Sequence, residues 1–243
     1  MNLAEFYPHD YIDDVMIRFT YHSTGIEGNT LTLGETTSIL LYGTLPASQK
    51  TRSLREIYEV RNHRDAFEYM LDSAEHDLPV NIALIKKLHY LLTKDTVYNA
   101  GEFKETSNYI KGADFETADP SQVPMLMQQW CDNLNYQLQH ANTFDDKLRI
   151  ILAMHIQFEQ YHPFSDGNGR TGRILINYLL MKMKQPLLII ARQDRSEYIS
   201  YLQNNDIDGL FNYAKQKLAQ EQKRLHTFQV ESKKQNDFEN KSH

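Results

Sequence analysis

Apolar side chains recur three and four positions apart over most of the chain, which is the spacing of one face of a helix. The stripe is clearest between Leu148 and Phe158, and again between Leu54 and Leu71. Segments of this kind predict helices over 10–22, 33–41, 51–73, 82–92, 125–140, 144–158, 168–184, 195–204 and 207–226. The pattern therefore predicts an all-α protein.

Polar residues mark several of the predicted helix ends. Thr32 and Glu35 have the spacing of a capping box, and Thr143 with Asp146 is a looser version of it. Ser121 is the expected start of the helix that follows it. Pro186 stops the helix before it, because proline cannot continue a helical hydrogen-bond ladder.

Two segments depart from the helical pattern. Residues 101–120 have no helical period, and Lys111-Gly112-Ala113-Asp114 between apolar neighbours predicts a short β-hairpin. From Glu231 onward the chain is polar, so we expect a frayed or disordered tail. No internal repeat or linker-like segment separates two halves, which indicates one domain.

Composition excludes some classes of function. The formal net charge is −6, whereas nucleic-acid binding favours a basic surface. Cys131 is the only cysteine, so no internal disulfide can form. The first residues lack the basic start and apolar run of a signal peptide, and the longest apolar run, 187–191, is too short for a bilayer. We expect a cytoplasmic protein that binds neither nucleic acid nor membrane.

The run from His162 to Arg173, HPFSDGNGRTGR, concentrates the chemistry of the chain. It places a base, a carboxylate, two glycines around an amide, and two arginines at the start of a predicted helix. Backbone N–H groups at a helix start favour an anion. This combination predicts a polyphosphate site with a metal ion beside a proton acceptor.

Each side chain of the run suits one task. An unperturbed histidine titrates near neutrality, so His162 can accept a proton from a hydroxyl. Asp166 offers oxygen ligands to Mg²⁺, which completes its shell with phosphate and water. Gly167 and Gly169 let the backbone approach a ligand, and Asn168 can offer its amide to phosphate. The forked guanidinium groups of Arg170 and Arg173 suit phosphate oxygens.

Taken singly, each part has an ordinary structural interpretation. A histidine after a helix, a Gly-Asn-Gly turn and two arginines on a helix face are common features without catalytic meaning. Their order and spacing here favour an active site.

The run resembles the signature of the Fic family (Fic/Doc superfamily), His-Pro-Phe-x-(Asp/Glu)-Gly-Asn-Gly-Arg-x-x-Arg, at every specified position. The resemblance implies a compact helical bundle with a small β-hairpin flap. It also implies transfer of AMP from ATP to a Ser, Thr or Tyr hydroxyl of a target protein, with release of pyrophosphate.

Residue roles follow from the resemblance alone. His162 is the implied base, and Asp166 holds Mg²⁺ between the α and β phosphates. The implied nucleotide contacts come from Gly167, Asn168, Gly169, Arg170, Arg173, Tyr198 and Tyr201, although packing of the two tyrosines on the core is an equal alternative. The segment from Lys104 to Ala118 resembles the family's flap, which docks the target by strand addition and includes Lys104, Tyr109, Ile110, Lys111 and Gly112.

A second motif precedes the first. Ser23, Glu27 and Gly28 match the Fic inhibitory pattern (Ser/Thr)-x-x-x-Glu-(Gly/Asn), which implies that Glu27 pairs with Arg173 and holds the enzyme inactive. A simpler interpretation, compatible with the first, is a helix end capped by Gly28. The implied organisation is an N-terminal region 1–48 packed on the core, a Fic core 49–226 and a polar tail 227–243.

Several alternatives stay open at this point. Glu27 could position water for removal of AMP from a modified target, or the chain could be a non-catalytic nucleotide-binding regulatory module. Transfer of phosphate or phosphocholine is disfavoured because the signature is intact. The target protein is not indicated, and assembly into a homo-oligomer is possible.

Overall fold

The computed structural model describes residues 2–45, 52–108 and 117–241, with side chains described up to residue 235. Helices dominate these segments, and no strand occurs in them. In chain order the helices are α1 His9–Ile26, α2 Leu33–Tyr42, α3 Leu54–Glu75, α4 Ile82–Thr93, α5 Val123–His140, α6 Phe144–Tyr161, α7 Asn168–Lys182, α8 Arg195–Gln203 and α9 Ile207–Lys241. A short 3₁₀ turn, Arg192–Asp194, precedes α8. The predicted all-α class is confirmed.

Helix starts follow local side-chain chemistry. Thr32 and Thr143 form the two predicted capping boxes. Ser53 forms a third at the start of α3, which the sequence pattern did not single out. Ser121 does not cap α5, because its hydroxyl donates to Asp119 Oδ1.

Helix α7 lies at the centre of the molecule. Nearly all its residues are buried, including the polar ones, and it packs against α3, α4 and α6. Its apolar side chains, such as Ile174 and Tyr178, belong to one large core cluster. The run from His162 to Arg173 therefore leads directly into a helix that three other helices hold in place.

Helix α1 shares that core. Tyr11, Val15 and Phe19 are buried in the same cluster as the side chains of α6 and α7. Two charged contacts fix α1 against α9: Arg18 Nη1 donates to Glu221 Oε2 at 2.8 Å, and Arg224 Nε donates to Asp14 Oδ2 at 2.7 Å. The position of the C-terminal end of α1 is therefore set by the rest of the fold.

The prediction that α9 ends near residue 226 before a frayed tail is wrong, because the helix continues to Lys241. The tail is rich in lysine, glutamine and glutamate, which are good helix formers. Phe228 packs on Tyr11 with 5.9 Å between ring centroids, and Gln229 Nε2 donates to the carbonyl of Phe6 at 2.8 Å. Contacts to the N-terminal segment thus support the extension.

The predicted hairpin, with Tyr109, Ile110, Lys111 and Gly112, lies outside the described residues. Its flanks are anchored next to the signature run: Lys104 N donates to the carbonyl of Pro163 at 2.9 Å, and Ala118 N to that of Tyr161 at 3.3 Å. No helix in the described segments is long and apolar enough to cross a membrane.

Candidate active site

The loop between α6 and α7 is held by a buried aromatic anchor. Phe164 is fully buried and stacks on His89 of α4, with 3.7 Å between ring centroids and 4° between planes. His89 Nδ1 accepts from Gly101 N at 2.9 Å, so Nε2 carries the proton and donates to the carbonyl of Asp166 at 2.8 Å. Helix α4 therefore positions the loop, a role that the sequence did not reveal.

Asn168 closes the same loop from inside. Its Oδ1 accepts from Phe164 N at 2.9 Å, and its Nδ2 donates to the carbonyl of Phe164 at 2.8 Å. The side chain is buried. We expected this amide to be offered to phosphate, but in the structure it binds the loop backbone, since a buried amide needs partners within the protein.

His162 lies at the C-terminal end of α6 in the left-handed region, with φ 49°. Its Nδ1 lies 3.3 Å from the carbonyl of Glu159, which can only accept a hydrogen bond. Nδ1 therefore carries the proton in this contact and Nε2 keeps its lone pair. Burial lowers the pKa of His162 to about 4, so the ring is neutral at pH 7.

The start of α7 requires glycine at two positions. Gly167 has φ 82°, a conformation that side chains disfavour. A Cβ at Gly169 would collide with Glu27 Oε1 and lie 2.9 Å from Arg173 Nη1. Any larger residue at 169 would fill the space between these groups.

Asp166 points outward, with 44% of its side chain exposed. Its Oδ1 accepts from Gly167 N at 2.6 Å, and its Oδ2 accepts from Arg55 Nη2 at 2.5 Å. Burial alone would raise its pKa, but Arg170, the N–H of Gly167 and Arg55 hold the pKa below its ordinary value. The group is therefore a carboxylate at pH 7.

The donor set at Asp166 fits Mg²⁺. No group of three or more His, Cys, Asp or Glu side chains suited to a metal occurs among the described residues. A single, half-exposed carboxylate matches the way Mg²⁺ is bound when phosphate oxygens and water supply the other ligands.

Arg170 is almost completely buried, at 2% exposed, and lacks hydrogen-bond partners for two nitrogens. Within the described chain, its Nε and Nη1 have none. The nearest carboxylates lie at 3.7 Å, from Nη2 to Asp166 Oδ1, and at 3.8 Å, from Nη1 to Glu59 Oε1. Buried donors without partners are costly, so this guanidinium is suited to an incoming anion.

Arg173 is also buried but is satisfied by α1. Nε donates to Ser23 Oγ at 3.1 Å, and Nη2 donates to the carbonyl of Ser23 at 2.9 Å and to Glu27 Oε1 at 2.7 Å. Burial opposes ionisation of Glu27, yet Arg173 holds its pKa below the ordinary value. Gly28 follows with φ 101° and ends α1. The structure thus places Ser23, Glu27 and Gly28 at the second arginine of the run.

Glu159 is a buried acid that sequence reasoning missed. It lies on α6, and within the described residues its Oε1 has no hydrogen-bond partner. Burial raises its pKa to about 8, against the opposing charge of Arg173. One signal was present: an acidic residue stands beside the apolar stripe of α6, next to Phe158.

Tyr198 is packed inside the fold. It is 1% exposed, and its hydroxyl lies 2.7 Å from His155 Nε2. This burial favours the packing alternative for Tyr198, and its contact with a nucleobase stays a prediction. Tyr201 is partly exposed with its hydroxyl on Glu197, and its nucleobase role stays a prediction.

The chain is similar to known proteins in sequence and in fold. Residues 79–180 match the Fic/DOC family model. A Fic domain containing signaling protein from Bacteroides thetaiotaomicron aligns with a TM-score of 0.81 at 25% identity, covering 90% of this chain and 88% of that one. Fic-1 from C. elegans aligns with a TM-score of 0.73 at 25% identity, covering 97% of this chain and 67% of the other.

Curated sequences give the same assignment. The protein adenylyltransferase Fic of Drosophila melanogaster is 36% identical over 183 residues, which are 75% of this chain and 36% of the fly protein. The Drosophila grimshawi protein of the same name is 35% identical over 183 residues. The chain thus spans little more than a third of the length of these relatives. From its signature run, its helical fold and these matches, the chain carries a Fic/DOC family domain over residues 79–180.

Proposed function

We propose that this protein transfers AMP from ATP to a Ser, Thr or Tyr hydroxyl of a target protein, and also to itself, with release of pyrophosphate. The observation that carries the proposal is a neutral His162 at the end of α6 together with a buried Arg170 in the first turn of α7, whose Nε and Nη1 lack hydrogen-bond partners in the described chain. A base and a cation with unused donors, on the two sides of one loop, are the two groups that nucleotide transfer needs. The names of the Drosophila relatives support the same reaction.

In the proposed reaction, His162 Nε2 takes the proton of the target hydroxyl. The hydroxyl oxygen then bonds to the α-phosphorus, and the bond from that phosphorus to the bridging oxygen breaks. Backbone N–H groups at Asn168 and Gly169 and the guanidinium of Arg170 stabilise charge on the phosphates, while the N–H of Gly167 holds Asp166. Mg²⁺ held by Asp166 would neutralise further charge on these oxygens.

The resting enzyme is proposed to be autoinhibited. Glu27 and Ser23 use the donors of Arg173 that a terminal phosphate would otherwise receive. The carboxylate also repels that phosphate. A nucleotide can then bind in a pose that is poorly aligned for in-line attack, and small misplacement lowers the rate steeply.

Target docking is proposed to use the segment from 104 to 118. Lys104 Nζ donates to Asn108 Oδ1 at 2.7 Å and to Thr117 Oγ1 at 2.9 Å, which ties the two ends of this segment together. Burial lowers the pKa of Lys104 to about 8. A strand added to this segment would lie beside His162 and bring its hydroxyl to the base.

We also propose that the reaction takes place in the cytoplasm. The chain has a single cysteine and so cannot form an internal disulfide, the bond that is typical of proteins in oxidising compartments.

The test is transfer from α-labelled ATP to the protein itself and to proteins of a cell lysate. It compares Glu27→Gly with the double variant Glu27→Gly, His162→Ala. We expect label on the first and a loss of about 10²-fold or more on the second, with ATP binding retained. Equal labelling of the two would remove His162 from the base role, and no labelling by either would contradict the proposed activity.

A further inference from the structure

Arg55, in the first turn of α3, joins two carboxylates at the mouth of the site. Its Nη2 donates to Asp166 Oδ2 at 2.5 Å, and its Nε donates to Glu59 Oε1 at 3.2 Å. Arg55 is 54% exposed and Asp166 is 44% exposed, so solutes can reach the pair. The two residues are 111 positions apart, so this contact depends on the fold and not on local helix geometry.

The contact takes up the oxygen that a metal ion needs. Asp166 Oδ1 already accepts the N–H of Gly167, and Arg55 binds the other oxygen. Resting on the proposed function, in which Asp166 holds Mg²⁺, we propose that Arg55 is a resident counter-ion of Asp166 that a divalent cation must displace. Arg55 thus sets the metal affinity of the site.

Displacement requires little rearrangement. An exposed ion pair changes an equilibrium constant by less than about tenfold, so a doubly charged ion can replace it. Arg55 keeps Glu59 as a partner on its own helix, four residues on, after it leaves Asp166. Rotation of one side chain, with α3 held in place, is sufficient.

The chain at the end of α1 supports both contacts, that of Glu27 with Arg173 and that of Arg55 with Asp166. Asn29, directly after Gly28, donates from Nδ2 to Glu59 Oε2 at 3.1 Å. Glu59 in turn orients Arg55 towards Asp166. In the resting chain, Glu27 therefore pairs with Arg173, the proposed phosphate ligand. Arg55 pairs with Asp166, the proposed metal ligand.

The experiment is a titration of the whole protein with Mn²⁺ followed by electron paramagnetic resonance, which reads the free ion directly and needs no turnover. Mn²⁺ accepts the same oxygen ligands as Mg²⁺. The variants are Arg55→Ala and Arg55→Gln, with Arg61→Ala as the matched control. Arg61 is exposed on the same helix, and its removal changes the net charge equally.

We expect Mn²⁺ to bind about three- to tenfold more tightly to both Arg55 variants, because a competing cation is lost. Arg61→Ala should bind Mn²⁺ like the wild type. Equal or weaker binding by the Arg55 variants, including no binding by any of the proteins, overturns the inference. Circular dichroism melting confirms that each variant is folded.

Asp166→Asn separates this inference from the proposed function. If Asp166→Asn leaves Mn²⁺ binding unchanged, the metal role of Asp166 is wrong. If binding depends on Asp166 but not on Arg55, only the inference about Arg55 fails.

Discussion

Arg170 and Arg173 lie one turn apart at the start of α7, and both are buried, yet their surroundings differ. Arg173 donates to Ser23 and Glu27 of α1. Arg170 has carboxylates no nearer than 3.7 Å, and two of its nitrogens lack hydrogen-bond partners among the described residues. The chain itself uses the donors of Arg173, whereas two donors of Arg170 are left unused within the described residues.

The difference shows how a site can be assembled and restrained together. Burying an arginine without partners is unfavourable, so the fold must hold Arg170 through its surroundings. Arg173 has a carboxylate partner that is 38% exposed and so can leave. In the proposed function, the pair combines a preformed phosphate ligand, Arg170, with a reversible contact at Arg173.

The largest effect on AMP transfer should come from substitution of Arg170. Arg170→Ala is expected to lower AMP transfer by about 10²- to 10³-fold, since a preorganised donor to the phosphates is lost. Label transfer in a Glu27→Gly background measures the effect, and Arg61→Ala, an exposed arginine on α3, is the control. Unchanged transfer by Arg170→Ala would mean that its unpaired donors have no ligand role.

Removing the Glu27 carboxylate that binds Arg173 should have the next largest effect on AMP transfer. Glu27→Gly is expected to raise self-modification by about 10- to 100-fold, because Arg173 becomes available to align the nucleotide. Glu231→Gln, an exposed carboxylate on α9, is the control for lost negative charge. Equal labelling of Glu27→Gly and wild type would show that the Glu27–Arg173 contact does not restrain the enzyme.

Ser23→Ala is expected to relieve part of the proposed autoinhibition. The substitution removes the hydrogen bond from Arg173 Nε to Ser23 Oγ but leaves the carbonyl of Ser23 and Glu27 in place. One hydrogen bond of about 1 kcal/mol corresponds to an increase in transfer of about fivefold. An increase as large as that of Glu27→Gly would instead assign the restraint to the serine.

A change of pH is expected to have the smallest effect on AMP transfer. The lowered pKa of His162, about 4, keeps the ring in its basic, neutral form at higher pH, and this form is lost only as pH falls through that value. The kcat/KM of Glu27→Gly should therefore be nearly flat between pH 6 and 8. A rise through a group with a pKa near 6.5 would mean that His162 is exposed to solvent in the active state.

Local sequence rules predicted the helices and the signature run, because capping boxes and apolar periods act over a few residues. The Glu27–Arg173 pair was implied by the family resemblance and not by a local rule, since the contact spans 146 positions. The tail of α9 was misjudged because its stability depends on Phe6 and Tyr11 at the other end of the chain.

The finer parts of the site depend on tertiary contacts that no local pattern encodes. Whether Asn168 faces a ligand or its own loop depends on the space around Phe164. Tyr198 is buried by His155 of another helix, and His89 reaches the loop from α4. These partners are far apart in sequence, so residue type alone could not distinguish packing from binding.

The backbone of His162 has a consequence for evolution and engineering. The residue holds φ 49°, where an ordinary side chain costs about 1 kcal/mol relative to glycine. A glycine at 162 would relieve this cost, but it would also enlarge the conformational freedom of the unfolded chain and give up the packing of a half-buried ring. Neither selection nor engineering for stability therefore has much to gain from replacing this histidine, and the proposed base would be lost.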